Sequence, residues 1–278
     1  MALHNVKLTI AYDGTEYHGW QIQPGFRTIQ GVLREAIGEL LGRKVRVCGA
    51  SRTDAGVSAL GQVGLIQIDS PIPTENLAKA ITDRLPPDMA VVEAVEVPLG
   101  FDVIGAVKSK LYRYMIYTGP VRPVLQIRHC WHIPMKLDTA AIAEAAKFLV
   151  GTKDFKSFAA GNEKREDTVR TIFRCDVYSS CVERSVSCEE KMDSCFRRND
   201  NTQYAIRTTQ NENDWVYVDV EGDSFLYNMV RNIVGTLVEV GVGRWKPEKI
   251  KEILEAKDRT AAGPLAPAAG LCLIWIRY

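Results

Sequence analysis

One glycine-rich stretch held between two apolar runs constrains this chain more than any other. Residues Gly49 to Gly61 read G-A-S-R-T-D-A-G-V-S-A-L-G. Val45, Val47 and Cys48 precede them, and Val63, Leu65, Ile66 and Ile68 follow. Both runs have strand character, so the small residues between them form a loop at the end of a sheet. Gly49, Gly56 and Gly61 let backbone pass where a side chain would clash. One carboxylate, Asp54, stands mid-loop, two residues from Arg52. Small neighbours leave it open to a large ligand. The alternative is an Asp that merely holds the backbone of its own turn.

The flanking sequence supplies the rest of a first α+β unit. Lys7 to Tyr12 reads as a strand running into the turn signal Asp13-Gly14. Tyr17 to Pro24 is aromatic and amide-rich, and its Trp20 is either core packing or a surface for a stacked base. Thr28 caps a helix whose apolar face is Ile29, Val32, Leu33, Ala36, Ile37, Leu40 and Leu41, stopped by Gly42. Pro73-Thr74 opens a second helix carrying Leu77, Ala80 and Ile81, and Val91 to Val97 is a further strand. The order is β-α-β-β-α-β, with helices free to cover one face of an antiparallel sheet.

A second unit repeats the first in outline. Lys110 to Tyr117 is a strand on which Lys110, Tyr112 and Tyr114 share a face. Asp138 caps a helix bearing Ile142, Ala145, Ala146 and Leu149, closed by Gly151, with a loop from Thr152 to Phe158. Val169 to Tyr178 and Trp215 to Val220 are two strands of a pair. Phe225 to Val240 is the strongest helical pattern, and Pro247 suits the first turn of another helix. Leu271 to Ile276 closes as a strand. The domain reading is therefore two α+β halves, 1–105 and 106–278, sharing a cleft.

Between the paired strands, Ser179 to Asn213 breaks the rhythm, since such strands are normally joined by a few residues. It is read as a solvated surface insertion. Cys181, Cys188 and Cys195 recur within it at spacings that match no familiar zinc motif.

Composition bounds the partners. Lys+Arg 35 against Asp+Glu 34 gives a net charge of +1, so nucleic-acid binding would have to come from a local basic groove. No apolar run approaches the roughly 18 residues that span a bilayer. Seven cysteines without a CxxC pair suit a reducing cytoplasm, and the first residues lack the pattern of a signal peptide.

Arg231 stands on the strongest helix, away from its apolar stripe. It is either a solvated cation or the partner of a buried carboxylate, which would lower that carboxylate's pKa. Gly235, one turn on, weakens the helix by about 1 kcal/mol against Ala, which points to close approach by another segment. Tyr112 is either cross-strand packing or part of a site. The residues by themselves offer an open Asp, a Tyr and an Arg, with no P-loop, no GxGxxG and no His-rich metal set.

Six motifs decide among these readings. They are Y-D-G-T-E-Y-H-G-W-Q-I-Q-P (Tyr12 to Pro24), R-T-D-A-G-V (Arg52 to Val57), K-L-Y-R-Y (Lys110 to Tyr114), G-T-K-D-F-K-S-F (Gly151 to Phe158), R-T-I (Arg170 to Ile172) and F-L-Y-N-M-V-R-N-I-V-G (Phe225 to Gly235). In this order they resemble the tRNA pseudouridine synthase A family. The resemblance implies isomerisation of uridine to pseudouridine at positions 38–40 of the tRNA anticodon stem-loop, with no cofactor and no metal. It implies the pseudouridine synthase fold, two ferredoxin-like halves with abutting antiparallel sheets and a central cleft. It also implies a cytoplasmic homodimer whose basic grooves hold tRNA, with no membrane association.

On the family pattern Asp54 is the catalytic aspartate, Arg231 pairs with it, and Tyr112 stacks on the target base. Leu271 packs in the same pocket, and Arg52 belongs to the motif that carries the aspartate. The chain departs from the pattern at Ser51 (usually Gly), at Ser58 (usually His) and at F-D-V-I, Phe101 to Ile104 (usually F-H-A-R). Two other classes compete with this reading. A non-catalytic RNA-binding protein or RNA chaperone on the same scaffold would not need Asp54, Tyr112 and Arg231. An Asp-dependent glycosidase would ordinarily need a second carboxylate, and the loop offers none nearby in sequence.

Overall fold

The computed structural model describes residues 3–161, 165–179 and 214–278. The first stretch runs β1 (His4–Tyr12), α1 (Ile29–Leu41), β2 (Val47–Gly49), β3 (Ser58–Ile68), α2 (Thr74–Thr82) and β4 (Met89–Val97). It continues with β5 (Ser109–Tyr117), β6 (Trp131–His132), α3 (Thr139–Lys147) and β7 (Gly151–Asp154), and the second stretch holds β8 (Val169–Ser179). The last stretch holds β9 (Trp215–Gly222), α4 (Met229–Gly241), α5 (Lys249–Ala256) and β10 (Leu271–Arg277).

All ten strands join one mixed sheet in the order β4-β1-β3-β10-β5-β9-β8-β7, with β2 on β3 and β6 on β5. Period-two burial builds its core face. Val6, Leu8, Ile10 and Tyr12 of β1 are buried while Lys7 and Thr9 between them are half-exposed, and Val216, Val218 and Val220 of β9 are buried likewise. These side chains form one apolar cluster with Leu33 and Ile37 of α1, Ile81 of α2, Ile142 of α3 and Ile233 of α4.

The centre of the sheet positions the site. The final strand, β10, inserts between β3 and β5. It pairs parallel to β3, with Cys272 opposite Ser58, and antiparallel to β5, with Leu271 opposite Tyr114. Strands from the two ends of the sequence are thereby tied side by side. Gly61 permits this: a Cβ there would fall 2.4 Å from the Ile274 carbonyl oxygen.

Several elements differ from the sequence-based expectation. Ser58 to Gly61 belong to β3 and not to the loop, because β10 supplies pairing partners for Ser58 and Ala59. The helix expected from Phe225 begins at Met229. Asn228 adopts φ 61°, a left-handed conformation that breaks the helical path, and frees Phe225 to meet Tyr112. Thr152 to Phe158 is the edge strand β7 followed by a short 3-10 turn, because Thr152 and Lys153 pair with Thr171 and Arg170. Thr28 precedes α1 but its side chain makes no cap; Gly19 and Trp20 carbonyls take the amides of Ile29 and Gln30 instead. β8 and β9 pair as expected; Ser179, read as the first residue of the insertion, belongs to β8 and pairs with Val216, and the rest of that reading, residues 180–213, lies outside the described residues.

Candidate active site

The loop between β2 and β3 is pinned from several directions while its carboxylate is left open. Tyr12 Oη and Thr53 Oγ1 are hydrogen-bonded at 2.8 Å, and Trp20 N donates to Thr53 O at 3.0 Å. Gln62 Nε2 donates to Ser51 O at 2.9 Å, and Gly56 N to Tyr17 O at 3.2 Å. Gly19, at φ 81°, passes so close that a Cβ would lie 2.6 Å from Thr53 O. Trp20 is fully buried beneath Gly49, which settles it as packing. Among the described residues, no hydrogen bond is formed by the Asp54 carboxylate. Asp13, a true turn aspartate, accepts from both the amide and the hydroxyl of Thr15. Asp54 therefore does not serve its own turn.

The group facing it is Arg231. Arg231 Nη1 lies 3.8 Å from Asp54 Oδ2, and both side chains are mostly buried, 14% and 21% exposed. The guanidinium is aimed by other bonds: Nε donates to Ala266 O at 2.8 Å and Nη1 to Asn228 Oδ1 at 3.1 Å. The helix that carries it is fixed in turn. Asn232 Nδ2 donates to Phe158 O at 2.8 Å and its Oδ1 accepts from Arg259 at 2.8 Å. Gly235 gives way to the Pro264 carbonyl, which a Cβ would meet at 1.7 Å, so the close approach expected of this glycine is to another backbone segment.

The electrostatic balance corrects the expectation for Asp54. Burial raises its pKa, and the attraction of Arg231 lowers it by less, so the net direction is up. A separation of 3.8 Å with no hydrogen bond does not offset the desolvation of a mostly buried carboxylate.

Tyr112 and Leu271 complete one wall. Tyr112 on β5 is buried, with its ring edge-on to Phe225 at 5.3 Å between centroids. Its hydroxyl meets Ser51 Oγ at 3.2 Å, and burial, eased by that bond, pushes its pKa up to about 12. Leu271, the first residue of β10, is buried at the cleft wall. Arg52 is exposed at the rim. Asp54, Arg231, Tyr112, Leu271 and Arg52 all line one cleft of about 790 Å³. Among the described residues its lining carries the cations Arg52, Lys110, Arg165 and Arg231 against the single carboxylate Asp54, so a chain of near-zero net charge presents a basic concavity here.

Sequence reasoning missed Phe225, Asn228 and the link through Ser51. Phe225 and Asn228 were hidden by an apolar period that continues the helix pattern backward. Lys110 was visible as a face-mate of Tyr112, without a role. Ser58 departs from the family pattern but has a local task, accepting from Gly14 N at 3.0 Å.

A family model described as tRNA pseudouridine synthase matches residues 8–104 and 145–278. The chain belongs to that family. The matched segments include the Asp54 loop, Arg231 and Leu271, whereas Lys110 and Tyr112 lie between them. Curated relatives span this gap. The chain is 37% identical over 276 residues to tRNA pseudouridine synthase A of Caldicellulosiruptor saccharolyticus, covering 99% of this chain and 100% of that protein. It is 38% identical over 276 residues to the protein of that name from Thermoanaerobacter pseudethanolicus, with the same coverage. Against the Thermotoga petrophila protein of that name it is 39% identical over 272 residues, 97% of each chain.

Proposed function

We infer that this chain isomerises uridine to pseudouridine in the anticodon stem-loop of tRNA, with Asp54 as its catalytic residue. Family membership and full-length relatives named tRNA pseudouridine synthase A support the activity. The observation that carries the residue assignment is a mostly buried carboxylate with no hydrogen-bond partner among the described residues, facing Arg231 in a basic cleft.

The reaction breaks the N1–C1′ glycosidic bond and forms a C5–C1′ bond. C5 gives up its proton and N1 gains one, so atoms balance without redox change or hydrolysis, and protein side chains are sufficient. One carboxylate has three routes into this chemistry: attack on the sugar, attack on the base, or removal of the C2′ proton. Each requires the ionised form, which Arg231 favours and burial opposes. The target uridine must leave its stack, at a few kcal/mol, to reach such a site. Tyr112, backed edge-on by Phe225, is the surface we assign to the flipped base, with Leu271 packing beside it. Arg52 and Lys110 suit the flanking phosphates.

The finer architecture belongs to the same reading. We take residues 1–105 and 106–278 as two ferredoxin-like halves with the cleft between them, supported by the β-α-β-β-α-β order through β4. We propose a cytoplasmic homodimer acting without a cofactor. No helix among the described residues is long and apolar enough to cross a membrane.

The test is incubation of the purified chain with an unmodified tRNA transcript, followed by pseudouridine mapping. Conversion confined to the anticodon stem-loop is the expected result. No conversion, or conversion only elsewhere in the tRNA, contradicts the assignment.

A further inference from the structure

Ser51 stands between two cleft residues and, among the described residues, is the one hydrogen-bonded to both. Its Oγ lies 3.3 Å from Lys110 Nζ and 3.2 Å from Tyr112 Oη. Lys110 Nζ also reaches Ala50 O at 3.3 Å. Lys110 and Tyr112 are two residues apart on β5 and share a face, so Ser51 closes a bridge across that face from the Asp54 loop. The bridge is supported from β3, where Gln62 Nε2 donates to Ser51 O at 2.9 Å.

The proton inventory gives the bridge a direction. An ammonium has only protons to offer, so Lys110 donates to Ser51. A serine hydroxyl has one proton and two lone pairs. Having accepted from Lys110, Ser51 has its own proton to place, and Tyr112 Oη is within reach. A hydroxyl already accepting from a cation is the stronger donor. The phenol's proton then turns away from Ser51, and Asp54 is the one carboxylate of the cleft lining among the described residues.

We propose that Ser51 is a positioning residue that couples the Lys110 cation to the Tyr112 hydroxyl, fixing the phenol's orientation and the direction in which its proton points. This rests on the reading of Tyr112 as the wall of the uridine pocket. Burial lowers the Lys110 pKa and Arg165 adds to that, while Asp223 supports the charge that the polarity requires. Tyr112 has Asp54, Cys272 and the perpendicular ring of Phe225 around it.

A double-mutant cycle on the full-length protein tests it. Ser51→Ala should lower kcat for pseudouridine formation about five-fold, the scale of one hydrogen bond, with KM unchanged. Ser51→Thr, which keeps the hydroxyl, should recover most of the loss. In the Tyr112→Phe background, Ser51→Ala should have no further effect. An equal loss in both backgrounds would overturn the proposal. A second readout does not depend on turnover: the Cζ resonance of Tyr112 in protein labelled with ¹³C-tyrosine, assigned through Tyr112→Phe. Lys110→Met should shift that resonance in the otherwise wild-type protein and leave it in place in the Ser51→Ala protein. A resonance indifferent to Lys110→Met, or equally shifted with and without the Ser51 hydroxyl, would overturn the coupling even if the chain proved inactive on tRNA.

Discussion

Arg231 faces Asp54 across 3.8 Å without a hydrogen bond between them. The arginine spends its directed bonds on Ala266 and Asn228, so it contributes charge to the carboxylate without capping it. Asp54 keeps its oxygens available and its pKa stays above the ordinary carboxylate value. That combination suits a group that must meet a substrate while ionised.

Removing the arginine should expose its share of this balance. Arg231→Gln takes away the one attraction that lowers the Asp54 pKa, so burial acts alone. The acid limb of the pH–rate profile should move to higher pH, and activity at a fixed pH on that limb should fall about ten-fold for each unit of movement. An acid limb that stays in place would show that Asp54 does not feel this charge.

The same balance sets a stability test. A carboxylate whose pKa is raised on folding binds more protons folded than unfolded in the interval between its two pKa values. Stability then falls as pH rises through that interval. Asp54→Asn does not titrate. Its Tm should gain on the wild type as pH rises above about 4, with no gain in stronger acid. Thermal melts across that range check the sign, and a variant that loses Tm at neutral pH would contradict it.

Tyr112→Phe should retain tRNA binding and lose part of the rate, because the ring and its edge contact with Phe225 survive while the hydroxyl does not. Tyr112→Leu removes the stacking face and should lose far more. Equal activity of Tyr112→Leu and wild type would end the stacking role.

Gly235→Ala should displace the helix that aims Arg231. Its Cβ cannot share space with the Pro264 carbonyl oxygen, and such overpacking typically costs about 1–3 kcal/mol. A lowered denaturant midpoint together with reduced turnover is expected; full stability would mean that the Pro264 segment yields freely.

The paired strands around the insertion allow a deletion test. Ser179 stands opposite Val216 in the β8–β9 ladder, so a short turn can replace residues 180–211. The shortened chain should keep its Tm and its activity on tRNA. Normal folding with lost tRNA binding would make the insertion an RNA-contacting arm.

Much of this was legible in the sequence because local rules carried it. The alternation in β1 and the stripe of α1 mark their elements directly, and the small residues around Asp54 mark an open loop. What stayed hidden depends on distant partners. β3 begins at Ser58 only because β10, more than two hundred residues later, pairs with it. The start of α4 at Met229 turns on the left-handed Asn228, which an apolar period cannot report. The pKa direction of Asp54 needed both a distance and a burial, and the sequence offered only the presence of an arginine. β7 was read as loop because four residues with no alternation become a strand only against β8.

The most direct test of the central claim is tritium release from tRNA carrying 5-³H-uridine, comparing the wild-type chain with Asp54→Asn. The substitution keeps the side chain's size and removes its charge. The wild type is expected to release tritium as C5 loses its proton. Asp54→Asn is expected to bind tRNA with near wild-type affinity and to release none. Release by Asp54→Asn at a rate near that of the wild type would contradict the assignment of Asp54 as the catalytic residue.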